Sequence, residues 1–281
     1  NTVVRESTGK EVTVPLFFLF ESILKFPLRW ALGRCSFGVP AFFAFNRTIT
    51  STQHALLGGS LMPIDTADIF GSDQVGIHLA AVGNILLHPP ELPQHILDIF
   101  EATLQLEMHP ISIGGSNLIG ALVAGNSRGM AVADIASESD IDMLTAFGDV
   151  VVMEGGVNTA GNLLLVNEQG AVASPSIPED GLEIMADVMG VQVGVSTIAG
   201  QDVVGSLGVC NDQGVLLHPD VSPEEVLVIQ EVLGVPPMVG TVAFGSPYVG
   251  AGVCATNNGA VAGTETTGPE LNRMEDALGL I

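Results

Sequence analysis

The stretch QDVVGSLGVCNDQGVLLHPDVSPEEVLVIQEVLG, residues 201–234, contains one complete folding unit. It opens on polar residues, an apolar pair and Gly205. Nine residues later Gly214 ends the turn-like tetrad Asn211-Asp212-Gln213-Gly214. Leu207 and Val209 before the tetrad, and Val215 and Leu217 after it, alternate as the two arms of a β-hairpin would. Gly214 is then expected to supply the positive φ that a short hairpin loop commonly needs. Ser222 and Glu225 have the spacing of a capping box, with Pro223 at the first helical position. Val226, Ile229, Val232 and Leu233 share one helical face, and Gly234 ends the helix.

The same unit recurs on both sides. The strings SDQVG, SNLIG, NTAG, QDVVG and SPYVG end at Gly76, Gly120, Gly161, Gly205 and Gly250, spaced by 44, 41, 44 and 45 residues. Four of the five are followed nine residues on by a second glycine, Gly129, Gly170, Gly214 or Gly259, in the turns GNSRG, NEQG, NDQG and TNNG. Each turn precedes an amphipathic helix. In the fifth unit Thr267 and Glu270 cap it, Leu271, Met274 and Leu278 face inward, and Gly279 stops it; the third has Leu182, Met185, Met189 and Gly190. The distance from repeat glycine to stop glycine is 29 residues in these three units and 28 in the second, from Gly120 to Gly148. The first unit is weaker, with Ile96, Ile99 and Leu104 as its face and no stop glycine. The pattern predicts an α/β protein of five strand–turn–strand–helix–strand repeats of about 44 residues. No such repeat can bury its own apolar face, so neighbours must share cores, and closure into a ring would remove exposed sheet edges.

Charge is distributed unevenly along the 281 residues. Of 8 basic residues, six (Arg5, Lys10, Lys25, Arg29, Arg34, Arg47) precede residue 62, beside only three acids, Glu6, Glu11 and Glu21. From Met62 onward, the other 28 of the 31 acids face only Arg128 and Arg273, a net charge of 2 − 28 = −26. Such a domain is repelled by bare nucleic acid and has no basic stripe for phosphates. Its charge suits a strongly hydrated surface in a high-salt cytoplasm, where a Debye length of about 3 Å at molar salt screens long-range repulsion. It also suits a basic protein partner. Cys35, Cys210 and Cys254 fit neither a disulfide framework nor a C-x-x-C metal site, so reduced thiols are expected.

Residues 1–61 differ from the rest. They hold eight of the 12 Phe and the single Trp, Trp30, and no Met. Glu21, Lys25, Arg29 and Arg34 interrupt their apolar run, which argues against a membrane span, and the order of charged and apolar parts is wrong for a secretory signal. Three readings stay open: translated upstream sequence, with Met62 as the start; an extension packed on the repeats; or an interfacial anchor. Asn46-Arg47-Thr48 matches a glycosylation acceptor that has a use only on a secretory route.

The segment GTVAFGSPYVGAGVCATNNGAVAGTETTGPELNRMEDALG, residues 240–279, resembles the carboxyl end of the translation initiation factor 6 family in its archaeal form. GGSNLIGALVAGNSRG, GVNTAGNLLLVNEQGAV and GVLLHPDVSPEEV resemble the family's earlier repeats, so the resemblance runs from near Met62 to the carboxyl terminus. It implies a pentein-type, five-fold pseudosymmetric α/β propeller. It also implies a cytoplasmic factor that binds the large (50S) ribosomal subunit near the sarcin–ricin loop, against a basic L14-type protein. Such a factor keeps the small (30S) subunit away and takes part in large-subunit maturation. Occupying a surface requires no cofactor, metal, catalytic group or small-molecule substrate, and a monomeric ring is expected. The positions matching recurrent family motifs are Asn126, Asn162 beside Gly161, and Phe244, Gly245, Ser246, Pro247 and Tyr248. Glycine and asparagine at such places also serve turn geometry on their own account. The family usually carries Asn-Arg before the GSP string, where this chain has Ala243-Phe244, and the first repeat, VGIHLAAVGN, diverges as well.

Other pentein-fold proteins are hydrolases that attack guanidinium groups with a Cys nucleophile, a His and acidic partners. Cys254 and His218 are the residues this chain could offer. A reactive thiol needs a polarising environment and a base nearby. Cys254 and Cys210 stand instead in apolar strand strings, and LLHP occurs twice, at His88 and His218, as a strand end before a helix would. GGSNLIG lacks the lysine of a phosphate loop, and the acids lack calcium-loop spacing. An unrelated acidic scaffold is the third reading.

Overall fold

The computed structural model describes residues 63–153 and 158–281, together with two short strands, Thr2–Arg5 and Glu11–Val14, which pair antiparallel. The remaining expectations for residues 1–61 lie outside the described residues. Residues 61–281 form a unit of their own.

That unit is mixed α/β, built from five three-stranded sheets. Each module contributes a one-turn helix, an antiparallel pair of strands and a longer helix, and in modules 1 to 4 that helix leads to a third strand parallel to the second. In module 4 these are Val204–Leu207, Gly208–Cys210, Val215–Leu217, helix Pro223–Leu233 and Pro237–Val239. The longer helices are α1 (Gln94–Leu104), α2 (Glu138–Leu144), α3 (Glu179–Met189), α4 (Pro223–Leu233) and α5 (Gly268–Leu278). The repeat glycines therefore lie in one-turn helices rather than in strands, and Leu207 ends such a helix instead of alternating within a hairpin arm.

The local signals act as their chemistry requires. Capping boxes close at Ser222/Glu225 and Thr267/Glu270, and a further one at Ser137/Asp140. Gly190, Gly234 and Gly279 cap α3, α4 and α5 in the left-handed conformation, at φ 60°, 68° and 63°. In α1 Gln105 takes that conformation without being glycine. The second unit departs from expectation: α2 ends at Thr145, and Gly148 does not cap it. A Cβ at Gly148 would lie 2.8 Å from the Arg128 carbonyl oxygen, so this glycine answers to a close approach.

The hairpin glycines also serve a different purpose from the expected one. None of Gly129, Gly170, Gly214 and Gly259 has positive φ. A Cβ on each would press within 3.0 Å of a backbone carbonyl at the end of the next module's helix: Val188, Val232, Ala277 and, for Gly259, Thr103 of module 1. The repeat glycines form a second cycle of this kind. A Cβ at Gly120 would strike the Gly76 carbonyl, at Gly161 that of Gly120, at Gly205 that of Gly161, at Gly250 that of Gly205, and at Gly76 that of Gly250. Module 5 thus meets module 1, and the contacts form a closed cycle.

Strand exchange completes the closure. The first strand of the unit, Ile64–Ala67, pairs in parallel with Ala260–Gly263 and supplies the third strand of the module 5 sheet. Each hydrophobic core lies at a junction between two modules. At the 3/4 junction Leu165 and Val172 meet Val215, Leu217, Ile229 and Leu233. At the 5/1 junction Cys254 and Val261 meet Leu86, Phe100 and Leu104. Middle strands serve two cores at once: Val215 and Leu217 face one junction, Leu216 the next. Such strands read as apolar runs because both their faces are covered.

Candidate functional site

Strand direction gives the ring two ends. Hairpin turns and helix C-termini lie at one, and helix N-termini, one-turn helices and a set of tight turns at the other.

At the hairpin end, buried side chains join modules 2 to 3, 3 to 4, 4 to 5 and 5 to 1. Asn126 donates from Nδ2 to the Met189 carbonyl at 2.9 Å, and its Oδ1 accepts from the Arg128 amide at 3.0 Å. Asn167 bonds Leu233 and Asn211 carbonyls in the same way, and Asn211 bonds Leu278 and Thr256. In module 5 Thr256 donates from Oγ1 to the Leu104 carbonyl at 3.1 Å, reaching back to module 1. Asn126 is only 2% exposed, so of the candidate residues it is the one withdrawn from any contact surface: its amide is used up inside the ring. Asn167, Asn211 and Thr256 were missed by the sequence reading, although each stands first in its turn tetrad, three residues before the glycine. A cavity of about 370 Å³ opens here, lined in part by Glu168, Asp212 and Asn257. These groups satisfy one another: Glu168 accepts from the Ser127 hydroxyl at 2.5 Å, and its amide donates to Asp212 Oδ1 at 2.9 Å. No cluster of metal-ligating side chains occurs among the described residues.

At the opposite end the chain reverses through tight turns closed by the bridges Ile69–Ser72, Ile113–Ser116, Ile198–Gln201 and Val242–Ser246. The carboxylate of the following helix's capping box holds three of them. Glu225 accepts from the Ala199 amide at 3.0 Å and the Gly200 amide at 2.9 Å; Asp140 accepts from Gly114 at 2.9 Å; Glu270 accepts from Phe244 at 3.3 Å and Gly245 at 2.8 Å. Each acid therefore caps a helix and clamps a turn. Burial raises the Glu225 pKa, but hydrogen bonds from Thr197, Ser222 and Gly200 outweigh it and bring it down to about 2 from an ordinary 4.5. Burial opposed by hydrogen bonds likewise leaves Glu270 and Asp140 lowered.

A consequence can be tested by acid titration. A carboxylate depressed on folding stabilises the native state fully above its unfolded pKa and loses that contribution as pH falls toward its folded value. The urea midpoint is expected to fall between pH 4.5 and about 2. Glu225→Gln should cost about 1–2 kcal/mol at neutral pH, as loss of a helix cap does, and flatten that acid limb. An unchanged limb would remove Glu225 from the account.

The remaining candidates lie at this turn end. Phe244 projects 82% exposed, with φ 59°, between Ala243 at φ 45° and Gly245 at φ 100°. Tyr248 is exposed where the chain enters the one-turn helix Val249–Gly252, and Ser246 and Pro247 are half-buried. Asn162 is half-buried in the corresponding helix of module 3, Ala160–Leu163, and its Oδ1 accepts from the Ser206 hydroxyl at 3.0 Å. Phe70, which the sequence reading passed over, stands in the neighbouring turn at φ 56° and packs edge-on to His78, with ring centroids 5.7 Å apart. Left-handed backbone costs a non-glycine residue about 1–2 kcal/mol. The two arginines of residues 62–281 are exposed and bind backbone carbonyls: the Arg128 guanidinium donates to the Met189 and Gly190 carbonyls, and Arg273 Nε to the Val239 carbonyl at 2.8 Å.

The residues a Cys hydrolase would use are placed otherwise. Cys254 is buried in the 5/1 core, where desolvation pushes its thiol up to about 12 against a weaker opposing effect of the Ala81 backbone. Burial, with Asp212 nearby, raises Cys210 as well. His218 is buried in module 4, and its Nδ1 accepts from the Asp220 amide at 3.0 Å. His88 ends its strand, with Nδ1 turned to the Pro89 carbonyl, and burial lowers its pKa. Among the described residues no helix is long and apolar enough to cross a membrane.

Comparison with known proteins gives a consistent result. The model of the eIF-6 family matches residues 64–277. Translation initiation factor 6 of Methanocella arvoryzae is 42% identical over 214 residues, covering 76% of this chain and 97% of its own. That of Natronomonas pharaonis is 43% identical over 217 residues, covering 76% and 98%. That of Halorubrum lacusprofundi is 41% identical over 217 residues, with the same coverage. With its repeats, its capping boxes and the GSPYVG turn all inside the matched span, the chain belongs to the eIF-6 family, that of translation initiation factor 6.

Proposed function

We propose that this protein is a ribosome anti-association factor of the cytoplasm. It binds the large (50S) subunit, keeps the small (30S) subunit from joining by occupying the surface between them, and serves in large-subunit maturation. The closed cycle of five modules supports reading the fold as a pentein-type, five-fold pseudosymmetric α/β propeller, acting as a monomer. The observation that carries the functional reading is the turn end. In a member of a translation initiation factor family, this end exposes Phe244 and Tyr248, with Gly245, Ser246 and Pro247 between them in the chain, and carries Asn162 on module 3. A surface that blocks by occupancy needs shape and adhesion rather than a reactive group. The thiols that catalysis would require are buried with raised pKa values. The charge of −26 from residue 62 onward favours a basic protein partner of the L14 type beside the sarcin–ricin loop over bare RNA.

The full chain, mixed with isolated subunits from a related archaeon at high salt and sedimented, should travel with the large subunit only. It should also lower the fraction of joined ribosomes in proportion to its occupancy. Failure to bind either subunit would refute the proposal.

A further inference from the structure

Two phenylalanines stand outside the hydrophobic cores, at positions where the backbone disfavours a bulky side chain. Phe70 and Phe244 occupy adjacent tight turns of the ring, both with left-handed backbone, at φ 56° and 59°, and expose 52% and 82% of their surface. The equivalent turns of modules 2 and 4 carry Gly114-Gly115 and Ala199-Gly200, the small residues this backbone favours. Bulky side chains at positive φ are outliers, and they persist where the surroundings over-determine them. Here the surroundings do so. Glu270 binds the Phe244 and Gly245 amides, and Asp68 Oδ1 accepts from the Gly71 amide at 2.6 Å. Tyr248 and Leu118, at the entrances of two one-turn helices, are exposed large side chains on the same end.

The electrostatics around them select the kind of partner. Asp68 and Glu265 are exposed at this end; of the two arginines of residues 62–281, both exposed, Arg128 lies in a hairpin turn at the far end and Arg273 is held against the Val239 carbonyl. Aromatic side chains that stack nucleic acid bases do so inside positively charged grooves that neutralise the backbone. Aromatic anchors rimmed by carboxylates instead fit an apolar pocket surrounded by basic side chains. We infer that Phe70 and Phe244 form a paired aromatic anchor that seats the turn end in an apolar, basic-rimmed protein surface of the large subunit, with Glu270 as the positioning residue for Phe244. This rests on the ribosome-binding reading and specifies which side chains carry the adhesion.

Glycine at these positions relieves the backbone while removing the anchor, so folding and binding should part company. In the full chain, Phe70→Gly and Phe244→Gly should each leave Tm unchanged or raised. Each should weaken binding to isolated large subunits about tenfold or more, as expected for hot-spot aromatics, and the double variant more than either. A photoreactive benzoylphenylalanine in place of Phe244 should cross-link to a ribosomal protein. Wild-type affinity in the double variant would overturn the anchor and leave the ribosome reading intact, and cross-links to ribosomal RNA would overturn the protein partner. Stability and binding lost together would mark the phenylalanines as structural and refute the inference. A wild-type chain that binds no subunit would take down both readings.

Discussion

Gly205→Ala is expected to destabilise the ring by more than about 3 kcal/mol, the range of severe overpacking against a backbone that cannot yield. The added methyl would fall within 3.0 Å of the carbonyl oxygens of Gly161 and Leu164. Neither atom can rotate aside as a side chain would, so relief requires modules 3 and 4 to separate and the core between them to open. The clash also spreads, because Gly205 stands in a cycle in which every repeat glycine approaches its predecessor's carbonyl. The same substitution at Gly268, where a Cβ meets nothing within 4 Å, should be neutral or stabilising by up to about 0.5 kcal/mol. Thermal unfolding of the two variants against wild type reads the contrast. Equal and small effects would show that the modules are not held by backbone approach.

Asn211→Ala should cost about 2–4 kcal/mol, because it strands several buried groups together. Its Nδ2 donates to the Leu278 and Thr256 carbonyls at 2.9 Å each, and its Oδ1 accepts from the Gln213 and Gly214 amides at 2.9 Å each. Alanine leaves two carbonyls and two amides without these partners at a largely buried junction. Thr256 stands in the equivalent place of module 5, donating to the Leu104 carbonyl and accepting from the Asn258 and Gly259 amides. Asn211→Thr should therefore recover roughly half of the loss. Urea midpoints of the three proteins test this, with amide hydrogen exchange at Gly214 as a local readout. If threonine proved no better than alanine, the latch would not be an interchangeable hydrogen-bonding device.

The fate of individual residues shows how far the chain's chemistry was legible. Ser222/Glu225, Thr267/Glu270 and the stop glycines 190, 234 and 279 were readable because each signal acts within about one helical turn. Gly148 misled because the same residue type serves both a left-handed cap and a close approach, and spacing alone cannot tell them apart. The hairpin glycines were read as turn formers for the same reason, and their neighbours across the junction set their true requirement. Among the candidate surface residues, Asn126 turned out to be an internal latch, whereas Phe244 and Tyr248 are exposed at the turn end. Phe70 escaped notice although Phe70-Gly71-Ser72 repeats Phe244-Gly245-Ser246, because the family resemblance rested on the GSP string of the last repeat and the first repeat diverges; its backbone angle and exposure single it out.

By itself the sequence determined five repeats, the helix in each, the N-caps of α4 and α5, the stop glycines of α3, α4 and α5, and the shared nature of the cores. Those properties follow from hydrogen bonds and apolar spacing inside a window of a few residues. The tertiary structure alone decided that the repeats close in a cycle, that Ile64–Ala67 completes the sheet of the last module, and which asparagines face inward. The physical reason is range. Pairing Ile64–Ala67 with Ala260–Gly263 brings together segments nearly two hundred residues apart, and no local preference encodes that choice. It is selected because only a closed cycle gives every module's apolar face a neighbour, with each repeat glycine permitting the backbone approach that makes the closure possible.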